Sequence, residues 1–316
     1  MRATFRRGLA VVAAVVLMAV PAGADPPGSP FPDADDAVGT GARSAQGALN
    51  ALAIAYNAGN PVVRVASWDA DGPSPITPRQ GAAPIPRPRN SDQGIAELKR
   101  AGTATNFARS SRKRVDAAEP VLYLPFASDV VRYAVANTTN APVNLSSTEL
   151  FSIYNCTATT WSAVRPGGSS ATIAPVLPVG SDSARPVFLT AIGLTTPGAC
   201  VVDVAADDPT PISGNPNRIG PFTEHAHALL PSPKPVQLNT TGFSALYKVF
   251  TVVRDVNGGG PTNGGVEASL QPFLGNGLPT PTGVGAGWIC GSTALAPIAS
   301  NAFTQLTAAQ SCGRAQ

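Results

Sequence analysis

Histidine is scarce in this chain: His225 and His227 are the only two among 316 residues. Neither stands in a recognisable nucleophile context, and no Gly-x-Ser-x-Gly turn occurs, so the usual hydrolase arrangement lacks both its base and its elbow. A spacing of two splays side chains apart on a helix, and there is no Cys-x-x-Cys to complete a zinc set, so no metal site is expected. Gly-x-Gly-x-x-Gly and the Walker pattern are missing too, which removes the common nucleotide cofactors. Aromatics make up 6% of the residues and do not interleave with the basic ones, so nucleic acid is not an expected partner. Internal repeats, coiled-coil heptads and blocks of six like charges are also lacking. The balance disfavours an enzyme.

What is present begins with an address. Arg2, Arg6 and Arg7 precede an apolar run from Leu9 to Val20, and Ala22-Gly23-Ala24 supplies small residues ahead of Asp25. This reads as a secretory signal peptide over residues 1–24. The run is shorter than the roughly 20 residues a bilayer core takes, so no stable membrane insertion is expected. No cysteine follows the cleavage position, so no lipid anchor is expected, and the mature chain should be exported and soluble. Of 22 basic residues three lie in the signal, which leaves 19 against 19 acidic ones. The mature protein is therefore near neutral, but residues 79–116 concentrate Arg79, Arg87, Arg89, Lys99, Arg100, Arg109, Arg112, Lys113 and Arg114 against three acids. Such a surface would steer small anions.

The mature length lies at or beyond the size at which single cores split, so two domains are expected. Its four cysteines, Cys156, Cys200, Cys290 and Cys312, all fall in the exported part, where oxidation is permitted. Three pairings are possible. Cys156 with Cys200 and Cys290 with Cys312 is favoured because each pair then lies within one segment.

Along the chain, the Pro- and Asp-rich residues 25–37 read as a flexible lead-in. Leu49, Leu52, Ala53 and Tyr56 then repeat at helical spacing, with Ser44 placed to cap the helix. Val62 to Trp68 reads as a strand, and six prolines between 73 and 88 impose a loop. Asn90 or Ser91 caps a helix reaching Gly102, and Thr105 to Arg109 forms a strand running into Ser110-Ser111-Arg112. Two β-prone runs follow, Val121–Phe126 and Val130–Ala136, and Ser146-Ser-Thr-Glu149 spells a capping box. Ile173 to Gly193 reads as a buried strand, a Ser-rich turn and an amphipathic helix. Later come a strand at 200–204, a helix near 223–230, a long strand at 245–256, and helices at 266–273 and 299–309. The order is α/β throughout.

Three segments place small polar residues just ahead of helical patterns: 39–46, 89–94 and 180–185. Such turns offer hydroxyls and free N–H groups to a small anion, and an arginine fork beside hydroxyls, as in Arg109-Ser110-Ser111-Arg112, suits a tetrahedral oxyanion.

The collinear order of these motifs resembles the type II periplasmic-binding-protein superfamily, specifically its phosphate-uptake branch, from about Val38 to Val256. Gly39-Thr-Gly-Ala42 resembles that family's first phosphate loop, Asn90-Ser91-Asp92-Gln-Gly94 its second, and Phe107-Ala-Arg-Ser-Ser111 the segment carrying its ligand-reading carboxylate. Leu150 to Trp161 resembles its helix-and-Trp element, and Gly180-Ser-Asp-Ser-Ala-Arg185 its second-domain anion loop. The resemblance implies an α/β fold of two lobes joined by crossover segments, lobe 1 holding 38–118 and 230–316 and lobe 2 holding 119–229. It implies ligand contacts from Thr40, Arg43, Ser44, Ser91, Asp92, Arg109, Ser110, Ser111, Ser181, Asp182, Ser183 and Arg185, with no cofactor. A monomer capturing phosphate for an ABC permease is what the family leads one to expect. Departures are visible: Ser111 stands where the family carries an acid, Asp182 replaces a glycine, and Leu177 falls near a ligand-pairing arginine. They leave open an alternative, a secreted interaction or structural protein of the same fold that binds another ligand or surface.

Overall fold

A computed structural model describes residues 25–27, 30–180, 184–278 and 285–316; the signal segment and the Ser181-Asp182-Ser183 turn lie outside them. The first half of the chain runs β1 (Ala37–Gly41), α1 (Gln46–Asn57), β2 (Val65–Ser67), α2 (Ser91–Lys99), β3 (Phe107–Ser110) and β4 (Val121–Ala136), then α3 (Ser147–Tyr154), α4 (Trp161–Val164), β5 (Ala174–Pro178) and α5 (Ala184–Ile192). The second half runs β6 (Val202–Val204), α6 (Thr210–Ser213), β7 (Arg218–Thr223), α7 (Glu224–Leu229), β8 (Val236–Leu238), β9 (Ala245–Arg254), α8 (Gly260–Asn263), α9 (Gln271–Leu274), α10 (Leu295–Ala299) and β10 (Thr304–Gln305).

The strands form one curled sheet in the order β2-β1-β3-β9-β4-β7-β5-β6, with β8 and β10 paired to β4. At one end β2, β1 and β3 are parallel; at the other β7, β5 and β6 are parallel. Between them β4 and β9 run antiparallel from Val121↔Arg254 to Val131↔Ala245. Each parallel set is the strand layer of one lobe, and the long pair crosses from one to the other. The two β-prone runs of the sequence are thus a single strand, because the residues between them, Ala127 to Asp129, keep pairing with Val249 to Tyr247 through a register shift at Pro125/Ala127.

Both sheet faces of each lobe are covered, as parallel strands require. In the first lobe Ile95 and Leu98 of α2 pack on Ala108, Tyr123, Phe250 and Val252, whereas Leu49, Leu52 and Tyr56 of α1 join the main core with Phe107 and Phe273. In the second, Tyr154 and Phe188 stack edge-on at 4.8 Å, and Phe188 meets Phe243 at 5.2 Å. β8 pairs with Ala134–Ala136, and the Asn239 side chain accepts the Tyr133 N–H.

Several expectations need correction. Within the lead-in, Asp33 and Asp36 both bridge Arg64 at 2.8 and 2.6 Å, and the Phe31 ring meets Trp68 edge-on. Ser44 does not cap α1; Ala45 occupies that position and offers no side-chain cap. The 299–309 helix is displaced: α10 ends at Ala299, and Thr304–Gln305 pairs with Ser128 and Ala127 instead. The 266–273 helix shrinks to Gln271–Leu274. The Asn90 cap, the Ser146/Glu149 capping box and both favoured disulfides, Cys156–Cys200 and Cys290–Cys312, are present.

Candidate functional site

In parallel sheets ligands bind outside the carboxyl ends of strands, where successive crossovers leave in opposite directions. Strand order β2-β1-β3 places that point between β1 and β3. The loop after β1 opens α1, the loop after β3 holds Ser111, and α2 begins alongside. Gly94 of α2 lies so close to the first loop that a Cβ on it would come within 2.7 Å of the Gly41 Cα. Only glycine permits this approach, which brings the start of α2 against the end of β1.

Four hydroxyls gather at this edge. Thr40 is 1% exposed and Ser44 8% exposed, and neither Oγ has a hydrogen-bond partner among the described residues. Ser91 and Ser111 are buried together: the Ser111 N–H donates to Ser91 Oγ at 3.2 Å, with the two Oγ atoms 3.5 Å apart. An unsatisfied buried hydroxyl is costly, and two at one strand end and its following loop are unusual in a stable fold. The adjacent α1, twelve residues long, carries no side-chain N-cap, so the partial positive charge of its first turn is unanswered by its own side chains. The chemistry on offer is that of hydrogen-bond donors and positive potential.

The other expected residues are engaged elsewhere. The Ser110 hydroxyl donates to the Arg112 carbonyl at 2.9 Å. Arg112 binds Asp92 and Glu119 at 2.6 and 3.2 Å and lies over the Tyr123 ring, which ties the second loop to the strand below. The exposed Arg43 bridges Asp71, and Arg185 bridges Asp203 at 2.5 Å. Ser181, Asp182 and Ser183 lie outside the described residues.

Arg109 is fully buried in β3. Its guanidinium donates to the carbonyls of Gly41, Ala42 and Trp68 and to Ser67 Oγ, at 3.0, 3.2, 2.6 and 2.7 Å. Loss of water lowers its pKa to about 10, which leaves it cationic at neutral pH. The carboxylates nearest in effect, Asp69 and Asp25, have other partners: Asn50 donates to Asp69, and Asp25 bridges the buried Arg87 at 2.6 Å.

Two residues escaped the sequence reading. Asp207, after β6 and in left-handed backbone (φ 58°), lies within electrostatic reach of Arg43 in the other lobe and of His225, and burial raises its pKa. Asp129, at the centre of β4, accepts from Tyr247 Oη at 2.8 Å and from the N–H groups of Val130 and His225. His225 also stacks on Phe303 and contacts the Asn301 carbonyl at 2.5 Å, whereas His227 turns to the Val236 carbonyl, so the two imidazoles do not converge. No local motif marks Asp129 or Asp207, since each is brought to its partners by pairing or packing over long sequence separations. Cavities of about 730 Å³ beside Gln271, Asn276 and Trp288 and of about 620 Å³ beside Arg132, Glu224 and His227 lie apart from the four hydroxyls.

No family model matches this chain, and no curated protein matches it in sequence. Solved structures do match in shape. A putative phosphate ABC transporter substrate-binding protein from Clostridium perfringens, with bound phosphate, aligns over 86% of this chain and 100% of its own at a TM-score of 0.59 and 14% identity. PstS from Borrelia burgdorferi aligns over 85% and 98% at 0.52 and 15% identity. An ABC-type phosphate transport receptor from Vibrio cholerae aligns over 69% and 86% at 0.50 and 20% identity. With two parallel strand layers joined by a long antiparallel crossover, the chain has the two-lobed α/β fold of the type II periplasmic binding proteins.

Proposed function

We propose that this protein is an exported solute-binding protein that holds a small tetrahedral oxyanion, phosphate first, between its lobes and performs no catalysis on it. The observation carrying this reading is the pair of buried, unpartnered hydroxyls of Thr40 and Ser44 at the switch point of β1 and β3. An anion lodged there would accept from both hydroxyls and from the first turn of α1, with Ser91 and Ser111 beside it. The bound phosphate of the Clostridium perfringens match supports phosphate as the first ligand to try. Arg43, Asp92 and Arg185 enter this reading as rim charges, each held by an ion pair, and Ser181 and Ser183 as donors from the second lobe. The partner is an ABC permease, reached after cleavage of residues 1–24.

Titration calorimetry of the chain from Asp25 onward, with phosphate, sulfate and amino acids in parallel, tests this. Phosphate at a hundredfold excess over its dissociation constant should stabilise the protein by about 2.7 kcal/mol, visible as a rise in melting temperature. Absence of both heat and melting shift at millimolar phosphate sinks the reading. A second reading, a secreted protein of the same fold that binds another partner, draws on Leu177, which is wholly buried in β5 and leaves that position without a cation.

A further inference from the structure

We propose that Arg109 is a positioning residue of the anion site, which orients the first loop and supplies positive charge from beneath it without touching the ligand. The inference rests on the anion-binding reading above and goes beyond it in assigning the source of charge. Every hydrogen-bond acceptor of this guanidinium is neutral: three carbonyls and one hydroxyl. Among the described residues no carboxylate stands within ion-pair distance of it; Asp69 and Asp25 act on it only from farther off, and Asp25 is itself paired with Arg87. A buried cation whose direct partners are all neutral is an expensive arrangement that a nearby anion relieves.

The bonds also have a direction. A trans peptide points its C=O and N–H oppositely. Where Ala42 gives its carbonyl to Arg109 Nε, the N–H of Arg43 in the same peptide is turned away from the guanidinium. Gly41 completes the clamp: its carbonyl accepts from Nη2, its φ is +119°, and a Cβ there would come within 2.6 Å of the Arg109 carbonyl. Strand β3 therefore grips the loop from below through one side chain, and Thr40, Ser44 and the start of α1 are presented on that fixed base. Arg43, at the surface, and the largely buried Arg112 are held by carboxylates of their own. Arg109, hydrogen-bonded to the loop carbonyls themselves, forms no ion pair among the described residues.

The test is phosphate titration of the mature protein and of Arg109→Gln and Arg109→Lys, each at about pH 6 and about pH 8, where the monoanion and the dianion respectively prevail. Circular dichroism and melting curves establish that each variant is folded. Wild-type binding in the same titration checks the anion reading itself; if the wild type does not bind, that reading fails before this one. Loss of charge in Arg109→Gln should weaken binding by about tenfold or more, and by a larger factor at the higher pH. Arg109→Lys keeps the charge and loses the fork, so its loss should be smaller and should retain the wild-type preference for the dianion. A folded Gln variant that binds like the wild type overturns the proposal, as does equal weakening of both variants at both pH values. If only the Lys variant folds, weakened binding with the dianion preference retained supports the proposal, and unchanged affinity overturns it. Failure of both to fold assigns Arg109 a purely structural role and also overturns it.

Discussion

Thr40→Val separates function from stability at the one place where the two should oppose each other. The side chain is 1% exposed in β1 and its hydroxyl has no partner among the described residues. Leaving such a group unsatisfied costs about 1–3 kcal/mol. Valine keeps the branched shape, replaces the hydroxyl by a methyl and suits a buried strand. The free protein should therefore gain up to that amount, and at roughly 2 °C per kcal/mol for a chain of this size its melting temperature should rise by about 2–6 °C. If Thr40 donates to a bound anion, the same change removes a hydrogen bond to a charged acceptor, a loss of about 1.5–3 kcal/mol, or about ten- to a hundredfold in phosphate affinity. Differential scanning calorimetry without ligand and titration calorimetry with phosphate measure the two halves independently. A variant that melts lower while binding phosphate as before would show that the hydroxyl serves the fold, and would refute the reasoning that makes it a ligand donor.

Three further outcomes follow from the charges and cross-links. Burial raises the Asp129 pKa, so the folded state holds that proton more tightly than the unfolded chain and stability should fall as pH rises from the unfolded value, near 3.9, through the folded one; Asp129→Asn, which keeps Oδ1 as acceptor for the Val130 and His225 N–H groups and turns an amide donor toward Tyr247 Oη, should abolish that decline in denaturant titrations between about pH 4 and pH 7. Glu149 behaves oppositely: its hydrogen bonds from Arg165 push it down to about 2, so its contribution is complete above the unfolded value near 4.3 and is lost as pH falls toward 2, and Glu149→Gln should flatten that acid limb. Replacing Cys290 and Cys312 together by serine opens a loop with a separation of 22 residues and should cost about 3 kcal/mol in the chain-entropy model, with hydrogen exchange rising first at Leu306 and Gly313. Unchanged protection at those amides would show that the tail is held without the cross-link.

The parts of the fold legible in the sequence were those set by local periodicity and local caps. Helices α1 and α2, the Asn90 cap and the Ser146/Glu149 box follow from spacing within a few residues. What was not legible depended on distant partners. Leu295 to Ala309 carries enough apolar residues for a helix, but Thr304–Gln305 is drawn into pairing with Ser128 and Ala127, about 180 positions away in the chain. The site divides in the same way. Small polar residues ahead of helices pointed to Thr40, Ser44 and Ser91, those after a strand to Ser111, and the structure brings their segments to one edge. Arg109 looked like a fork for the ligand because it stands between a strand and two serines. Strand alternation instead turns it inward, toward carbonyls contributed by residues 41, 42 and 68.

The crossover joins both parallel strand sets in one sheet. A register shift breaks the β4–β9 ladder at Pro125/Ala127, where the strand passes between lobes. Such a shift leaves backbone groups without cross-strand partners. Here the carboxyl-terminal segment supplies them: Leu306 donates to the Phe126 carbonyl at 2.9 Å and Gly313 to that of Pro125 at 2.8 Å, close to the Cys290–Cys312 disulfide. On the far side of the shift the Asp129 carboxylate ties β4 to Tyr247 of β9 and to the backbone of His225, whose ring reaches back to Asn301 and Phe303. The bend is therefore bracketed by the tail on one side and a buried carboxylate on the other.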